Sequence, residues 1–329
     1  MIVLVGASGF TGRLVARAIR RRKLPLAIAG RDPGKLGALA EELDAVEVRA
    51  CDVTQPASIE KALVGARVCV SCAGPFLKLG EPVVAACASR GVHYLDTTGE
   101  QPFVRMVFEK YGAAKAALVP AFAFEVAIGD AAAALAARGV EAIDSVEIAY
   151  AVPKFAPSRG TLLSIVGLAG QEMALAGETR RIDGKRALLF PSPELVTVPR
   201  HVNARIVKTF AVASRAQSMA MRIGAPFVSR IGPRLRGFLE RRVAGRPEGP
   251  SDEIRASQTW SVHATARGKT ERTVVVRGRD VYGITAEIAA LGAARLLGST
   301  ARGPLAPSQA VPADEIFRDL APFGVRIDT

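Results

Sequence analysis

Residues 1 to 22 read MIVLVGASGFTGRLVARAIRRR, and the fold class follows from how that stretch divides. Ile2 to Val5 is an unbroken apolar run closed by glycine, the pattern of a strand buried on both faces. From Thr11 onward the period changes: Leu14, Val15, Ala18 and Ile19 share one face of a helix. The join is Gly6-Ala7-Ser8-Gly9-Phe10-Thr11-Gly12, with glycines spaced G-x-x-G-x-x-G. Glycine lets the backbone turn tightly and approach a ligand, and the helix N-terminus offers N–H groups and the positive end of its dipole. Placed between a first strand and a first helix, that turn is the cradle of a pyrophosphate.

The alternation continues. PLAIAGR, VEVRACD, RVCVSCAG, VHYLDTT and ALVPAF read as strands. DPGKLGALAEEL, ASIEKALVG, a helix around EPVVAACASRG and FVRMVFEKYGAAKA separate them. Helices of this length between strands predict an α/β fold, a Rossmann-type doubly wound parallel sheet. After Phe122 the texture differs. VAIGDAAAALAARG is an apolar helix stopped by Gly139, DSVEIAYAV is a strand, and SRGTLLSIVGLAGQEMALAG is a long helix with Ser158 or Thr161 as cap. RRIDGKRALLF predicts a hairpin around Asp183-Gly184, and EIRASQTWSVHATARGKTERTVVVRG a longer one turning at Arg267-Gly268-Lys269. Strands that come as hairpins predict an α+β substrate domain with a mixed or antiparallel sheet. The expected division is 1–122 for the dinucleotide, 123–280 for the substrate, and 281–329 as helices returning to the first domain.

The end of the second strand selects the dinucleotide. An NAD enzyme places an acid there to hold the ribose 2′-OH. Here the strand ends Ala29-Gly30-Arg31 and Lys35 follows one helical turn later, two cations suited to a 2′-phosphate. Asp32, before Pro33, reads as a helix cap. NADP(H) is therefore the expected cofactor, held by Gly6, Ala7, Ser8, Gly9, Phe10, Thr11 and Gly12, with Arg31 and Lys35 on the phosphate. Asp52 and Val53, after the third strand, fall near the adenine. Ala73, Gly74 and Pro75, after the fourth, fall beside the nicotinamide ribose.

In an open parallel sheet the ligand lies at the carboxyl ends of the strands. The fifth strand carries GVHYLDTTGE (91–100), and alternation puts Tyr94, Asp96 and Thr98 on one side. Tyr94, Asp96 and Glu100 are thus candidate catalytic groups, while His93, at the strand's far end, reads as structural. A competing constellation is Thr98, Tyr111 and Lys115, the Ser/Thr-x12-Tyr-x3-Lys spacing of short-chain dehydrogenases, in which the lysine lowers the tyrosine pKa.

Bulk properties narrow the function classes. The chain has 329 residues, 49% of them hydrophobic, with mean hydropathy +0.22, which excludes disorder. With no apolar stretch of membrane-spanning length and no signal-peptide pattern at Met1, it reads as cytoplasmic. Cys51, Cys69, Cys72 and Cys87 lack a zinc spacing and read as buried thiols, and no metal is expected. The net charge of +13 is concentrated: residues 205–246 hold ten Lys or Arg against Glu240 alone. Phe227, Val228, Ile231, Leu235, Phe238 and Leu239 fall on one helical stripe, Arg230, Arg234 and Arg241 elsewhere, and Pro233 interrupts it. Such a segment covers a sheet with its arginines in water, lies on an anionic lipid surface, or docks an acidic carrier protein. Aromatics at 5% and no reading motif exclude nucleic acid.

GASGFTG, AGRDPGKL and above all CAGPFLKLGEPVVAACASRGVHYLDTTGE resemble the saccharopine-dehydrogenase-like oxidoreductases. The branch they resemble includes the mammalian saccharopine-dehydrogenase-like proteins and the mycobacterial trans-acting enoyl reductases. The likeness is close over residues 1–125. Further on, PSRGTLLSIVGL (157–168) resembles the family's SxGT segment, and VYGITAEIAALGAARLL its returning helix. LVPAFAFEVAIGDAAAA departs from the family's GF-D-x-x-P-x-D pattern, keeping only Asp130 of its polar residues. The resemblance implies an NADP-dependent oxidoreductase. True saccharopine dehydrogenases handle a doubly acidic amino acid, whereas the enoyl-reductase branch reduces an acyl chain. The expectation is reduction of a C=C or C=N bond in a hydrophobic, acyl or lipid-like substrate, carrier-bound or free. The alternatives are a short-chain-dehydrogenase-type reductase using Tyr111 and Lys115, or a non-catalytic NADP-binding adaptor at a lipid surface.

Overall fold

Strand β1 (Ile2–Val5) enters the centre of a seven-stranded sheet, and every residue in it is buried. It is followed by α1 (Phe10–Arg21), β2 (Leu26–Gly30), α2 (Pro33–Glu42), β3 (Glu47–Ala50), α3 (Pro56–Ala62), β4 (Val68–Ser71), α4 (Phe76–Arg90), β5 (His93–Asp96), α5 (Gln101–Lys110) and β6 (Ala117–Val119). The computed structural model describes residues 1–168, 178–182, 184–212 and 237–328. The order β6-β5-β4-β1-β2-β3 is parallel throughout, with β13 (Gly303–Pro304) added beside β6. This is the doubly wound sheet expected from the alternation, with its switch point between β1 and β4. Ile2, Leu4, Ile28, Val70 and Leu95 face one core, while Val3, Val5, Ala29, Cys69 and Tyr94 face the other.

The second sheet has the order β14-β12-β11-β7-β10-β9-β8. Its members are β7 (Ser145–Ala151), β8 (Thr179–Ile182), β9 (Lys185–Leu189), β10 (Ile206–Val212), β11 (Thr259–Arg267), β12 (Glu271–Arg279) and β14 (Arg326–Asp328). It is mixed, because β10 runs parallel to β7 while the other pairings are antiparallel. Two apolar helices fill the space between the sheets. α6 (Phe124–Ala136) lies on β11 and β12, and α11 (Val281–Leu297) lies on α1, β4 and β5. Their small side chains let both sheets approach, and one continuous core joins Leu4 and Val70 to Ile148 and Val262. α7 (Arg159–Leu168), α8 (Glu194–Thr197), α9 (237–244), α10 (Asp252–Ser257), α12 (Pro307–Ala310) and α13 (Ala313–Leu320) complete the described helices.

Three differences from the sequence reading have physical causes. α4 starts at Phe76, upstream of EPVV, because the Glu100 carboxylate accepts the first N–H groups of the helix, a cap supplied from another element. Asp252–Ser257 is a helix rather than the start of the long hairpin, since the Ser251 side chain caps it. The C-terminal tail supplies an edge strand to each sheet, β13 and β14, besides α13. The Asp183 turn position, and residues 213–236 of the basic segment with Phe227, Val228, Arg230, Ile231, Pro233, Arg234 and Leu235, lie outside the described residues. So does the latter half of the helix expected from Ser158.

Candidate functional site

The β1–α1 turn is shaped by backbone contacts that exclude side chains. Gly6 has φ +78°, and a Cβ there would lie 2.9 Å from the Ala73 nitrogen. A Cβ on Gly12 would lie 2.2 Å from the Gly6 carbonyl oxygen. The loop therefore sits directly against the end of β4, bringing Gly6–Gly12 beside Ala73, Gly74 and Pro75. Gly9 caps α1 without any side-chain hydrogen bond, and no acid lies in its first turn. The positive helix end stays open to an anion.

Around the neighbouring strand end the cations gather. Arg31 is exposed directly after β2, and Asp32 accepts the Lys35 N–H at 3.0 Å, the capping role expected of it. Arg13, which the sequence reading passed over, reaches the same place from α1 and also donates to the Ser8 carbonyl at 2.7 Å. Asp52 follows β3 with its carboxylate taken by the Thr54 N–H and hydroxyl, and Val53 is buried. Open helix terminus, glycine cradle and adjoining cations fit a phosphorylated dinucleotide.

From this edge a cavity of about 1770 Å³ runs between the two sheets. It exceeds the roughly 300–1,000 Å³ of an ordinary small-ligand pocket, so it has room for a substrate beside a dinucleotide. Thr11, Cys72, Gly74 and Thr97–Glu100 line it from the side of the first sheet, Phe124, Phe155, Ile165 and Phe190 add apolar wall, and Arg181, Lys185 and Arg186 of β8 and β9 add cations. Phe155 and Ile165 are exposed, an apolar rim at the opening.

Of the five candidate catalytic residues only Glu100 lines this cavity. Its Oε1 accepts the Phe76 N–H at 2.9 Å and the Ser164 hydroxyl at 2.6 Å, and its Oε2 accepts the Leu77 N–H at 2.8 Å. Both oxygens are engaged in joining α4 to α7, with the negative charge at the α4 N-terminus.

Asp96 is fully buried and sits behind the cavity wall. Its Oδ1 accepts the N–H groups of Thr98 and Ala121, each at 2.9 Å. Burial pushes its carboxyl up to about 7, against the pull of those N–H groups. Tyr94 packs in the core on the α4–α5 side of the sheet, where burial holds its phenol well above the usual range. The strand geometry ends at Asp96, so alternation stops there and both Thr97 and Thr98 reach the cavity.

The Thr98–Tyr111–Lys115 triad does not assemble. Tyr111 caps the end of α5 with its hydroxyl toward Glu81, and Lys115 is exposed in the next loop, neither lining the cavity. His93 is structural, as expected: Nδ1 accepts the Ala117 N–H and Nε2 lies 3.1 Å from the Ser299 carbonyl. Burial lowers its pKa, keeping the imidazole neutral. The four thiols are free, and burial pushes Cys51 and Cys72 up to about 12, which leaves them unreactive.

Sequence reasoning missed Tyr282, which lines the cavity, and Glu194, which is buried behind the lining residues Tyr150 and Ser192. Tyr282, in the first turn of α11, accepts the Ser158 N–H at 2.6 Å and lies 3.1 Å from Thr161 Oγ1. Its ring meets Phe10 of the glycine turn edge-on at 5.1 Å and stacks on Phe155. Burial raises its pKa, so the phenol keeps its proton. The second group is Glu194, buried with Tyr150 and Ser192. The Tyr150 hydroxyl has two acceptors, the Glu125 carbonyl and Glu194 Oε1, but only one proton to donate. Both contacts are satisfied when Glu194 carries a proton, and burial pushes its carboxyl up to about 8. The nearest sequence signals for Tyr282 were PSRGTLL and VYGITAE, read as a helix cap, a returning helix and segments resembling the family, while Glu194 was not singled out.

The Glu194 proton has a consequence for stability. Between the ordinary carboxylate range near 4.5 and about 8, the folded chain holds this proton and the unfolded chain does not. Stability is fully present below that window and falls as pH rises through it. Thermal melting should decline between pH 5 and 8, and Glu194→Gln, which mimics the protonated acid, should remain more stable than wild type at pH 8 by ~1 kcal/mol or more, a shift of about 1–2 °C for each kcal/mol. Asp96, raised in the same direction, leaves part of the slope in place. A variant whose melting temperature follows the wild-type pH curve would contradict the assignment.

No helix among the described residues is long and apolar enough to cross a membrane. In the basic segment, residues 237–244 are helical, with Phe238 exposed and Arg242 over its ring.

Comparison with known proteins agrees with this geometry. Residues 2–121 match the model of the saccharopine dehydrogenase NADP-binding domain. The saccharopine dehydrogenase-like oxidoreductase of Bos taurus is 34% identical over 128 residues, 33% of this chain and 30% of that protein. The trans-acting enoyl reductase of Mycobacterium ulcerans is 37% identical over 116 residues, 33% of this chain and 28% of that protein. The matched region thus spans under a third of the length of these relatives. The structure of saccharopine dehydrogenase (L-Glu forming) from Saccharomyces cerevisiae superposes over 99% of both chains with a TM-score of 0.63 at 14% identity. That likeness shows that the two-sheet architecture is shared.

Proposed function

Because residues 2–121 belong to the saccharopine dehydrogenase NADP-binding domain family, we propose that the chain is an NADPH-dependent reductase of a C=C or C=N bond in a hydrophobic, acyl or lipid-like substrate. In this reading residues 1–122 hold the cofactor, 123–280 shape the substrate space, and 281–329 tie the two together. Gly6 to Gly12 take the pyrophosphate, Arg13, Arg31 and Lys35 the 2′-phosphate, Asp52 and Val53 flank the adenine, and Ala73 to Pro75 the nicotinamide ribose. Bound there, NADPH supplies a hydride.

The remaining tasks fall to the chain. Thr97, Thr98 and Gly99 form the wall at the reactive end, and Glu100 is a positioning residue that keeps α4 and α7 in register. The proton comes from Tyr282 Oη: one lone pair accepts the Ser158 N–H, leaving the O–H free to turn from Thr161 toward a substrate atom. The protein works in the cytoplasm, on a free or carrier-bound acyl group.

The observation that carries the substrate class is the cavity, apolar through Phe124, Phe155, Ile165 and Phe190 and cationic at β8 and β9. An apolar chain with an acidic terminus or carrier fits that combination. The test is NADPH oxidation with 2-enoyl thioesters of increasing chain length. Rising kcat/KM with length is expected, at about 0.8 kcal/mol per buried methylene. Turnover of short polar imines with no response to acyl chains would overturn the acyl reading.

A further inference from the structure

Arg13, Lys35 and Arg159 come from three separate elements, α1, α2 and α7, and all three meet the side chain of Glu248. Arg13 Nη1 lies 2.7 Å from Oε2, Lys35 Nζ 2.9 Å from Oε1, and Arg159 Nη2 3.4 Å from Oε1. The segment is seated by its backbone as well. The Glu248 carbonyl accepts the Arg159 N–H at 3.0 Å, and a Cβ on Gly249 would lie 2.5 Å from the Phe10 ring of the glycine turn. A carboxylate from the link between α9 and α10 thus occupies the cations that adjoin the dinucleotide cradle.

We propose that Glu248 is an internal stand-in for the 2′-phosphate, competing with it for Arg13 and Lys35. This rests on the NADP reading of the first domain. One carboxylate offsets one of three positive charges, so a net positive field remains to attract an anion. A phosphomonoester carries about −1.5 to −2 at neutral pH with three acceptor oxygens, and it outbids a single carboxylate for the same donors. A dinucleotide with a plain 2′-OH brings no charge and leaves Glu248 in place. The device therefore tempers affinity for the phosphorylated cofactor: its phosphate must displace a carboxylate, so part of its binding free energy goes into that exchange, while a dinucleotide with a plain 2′-OH is unaffected. Through its backbone carbonyl Glu248 also holds the N-terminus of α7, whose Thr161 and Ser164 line the substrate cavity, so the residue stays seated while its carboxylate is displaced. The strongly held charge of this acid, lowered to about 2 by Lys35 and Arg13, keeps the competition present throughout the neutral range.

The test is calorimetric binding of adenosine 2′,5′-bisphosphate and of adenosine 5′-monophosphate to wild type and to Glu248→Gln. The variant keeps the backbone contacts and removes the competing charge. The expected result is about tenfold tighter binding of the bisphosphate and an unchanged affinity for the monophosphate. Equal or weaker bisphosphate binding by the variant would overturn the proposal and make Glu248 an organiser of the cations instead. Failure of both proteins to discriminate bisphosphate from monophosphate would instead overturn the NADP reading beneath it.

Discussion

Gly12→Ala is expected to abolish dinucleotide binding and to lower stability. The added methyl would stand 2.2 Å from the Gly6 carbonyl oxygen and 2.9 Å from the Ala7 Cα, both backbone atoms of the loop proposed to hold the pyrophosphate. Gly6 cannot retreat, because it is itself packed on the end of β4 and held at positive φ. The clash is relieved only by pushing α1 away from β1, which opens the cradle. We expect a loss of NADPH affinity of at least ~100-fold and a destabilisation of about 2–4 kcal/mol. Titration of NADPH fluorescence and thermal melting read the two effects separately. Gly37→Ala is the control: nothing lies within 4 Å of a Cβ there, and a helical glycine-to-alanine change should be neutral or stabilise by roughly 0.5–1 kcal/mol. Normal NADPH binding by Gly12→Ala would refute the cradle.

Tyr282→Phe should cost about 10²–10⁴-fold in kcat, the usual weight of a positioned proton donor. The ring keeps its place between Phe10 and Phe155, so NADPH affinity should stay within about twofold. The buried Ser158 N–H loses its acceptor, a penalty on the order of 1–3 kcal/mol in stability. Binding and catalysis are thereby separated: a variant that binds NADPH normally and turns over slowly marks the proton donor. Turnover at the wild-type rate would leave Tyr282 as a packing residue that orients Ser158.

Much of the first domain was legible because its signals are local. A strand buried on both faces reads as a continuous apolar run, and a glycine that must admit a phosphate can be no other residue. The Asp32-Pro33 helix start depends on one hydrogen bond three residues away. Candidate catalytic residues were less legible. Tyr94 and Asp96 read as candidate catalytic groups in the one-dimensional chain, yet the sheet is covered on both faces, so both are buried rather than turned to a ligand. The Tyr111–Lys115 spacing is helical in the sequence, but the helix ends at Lys110.

The sequence by itself determined the parallel sheet, the dinucleotide turn and the preference for a phosphorylated cofactor, since each depends on residues within a few positions of one another. Only the tertiary structure decided which groups share the cavity. Glu100 meets Ser164 across 64 positions, Tyr282 meets Ser158 across 124, and Glu248 meets Arg13 across 235. Such contacts leave no period or spacing in the chain. They exist because α6 and α11 are apolar and slender enough to let two sheets close on each other, and that closure brings distant polar side chains to one edge.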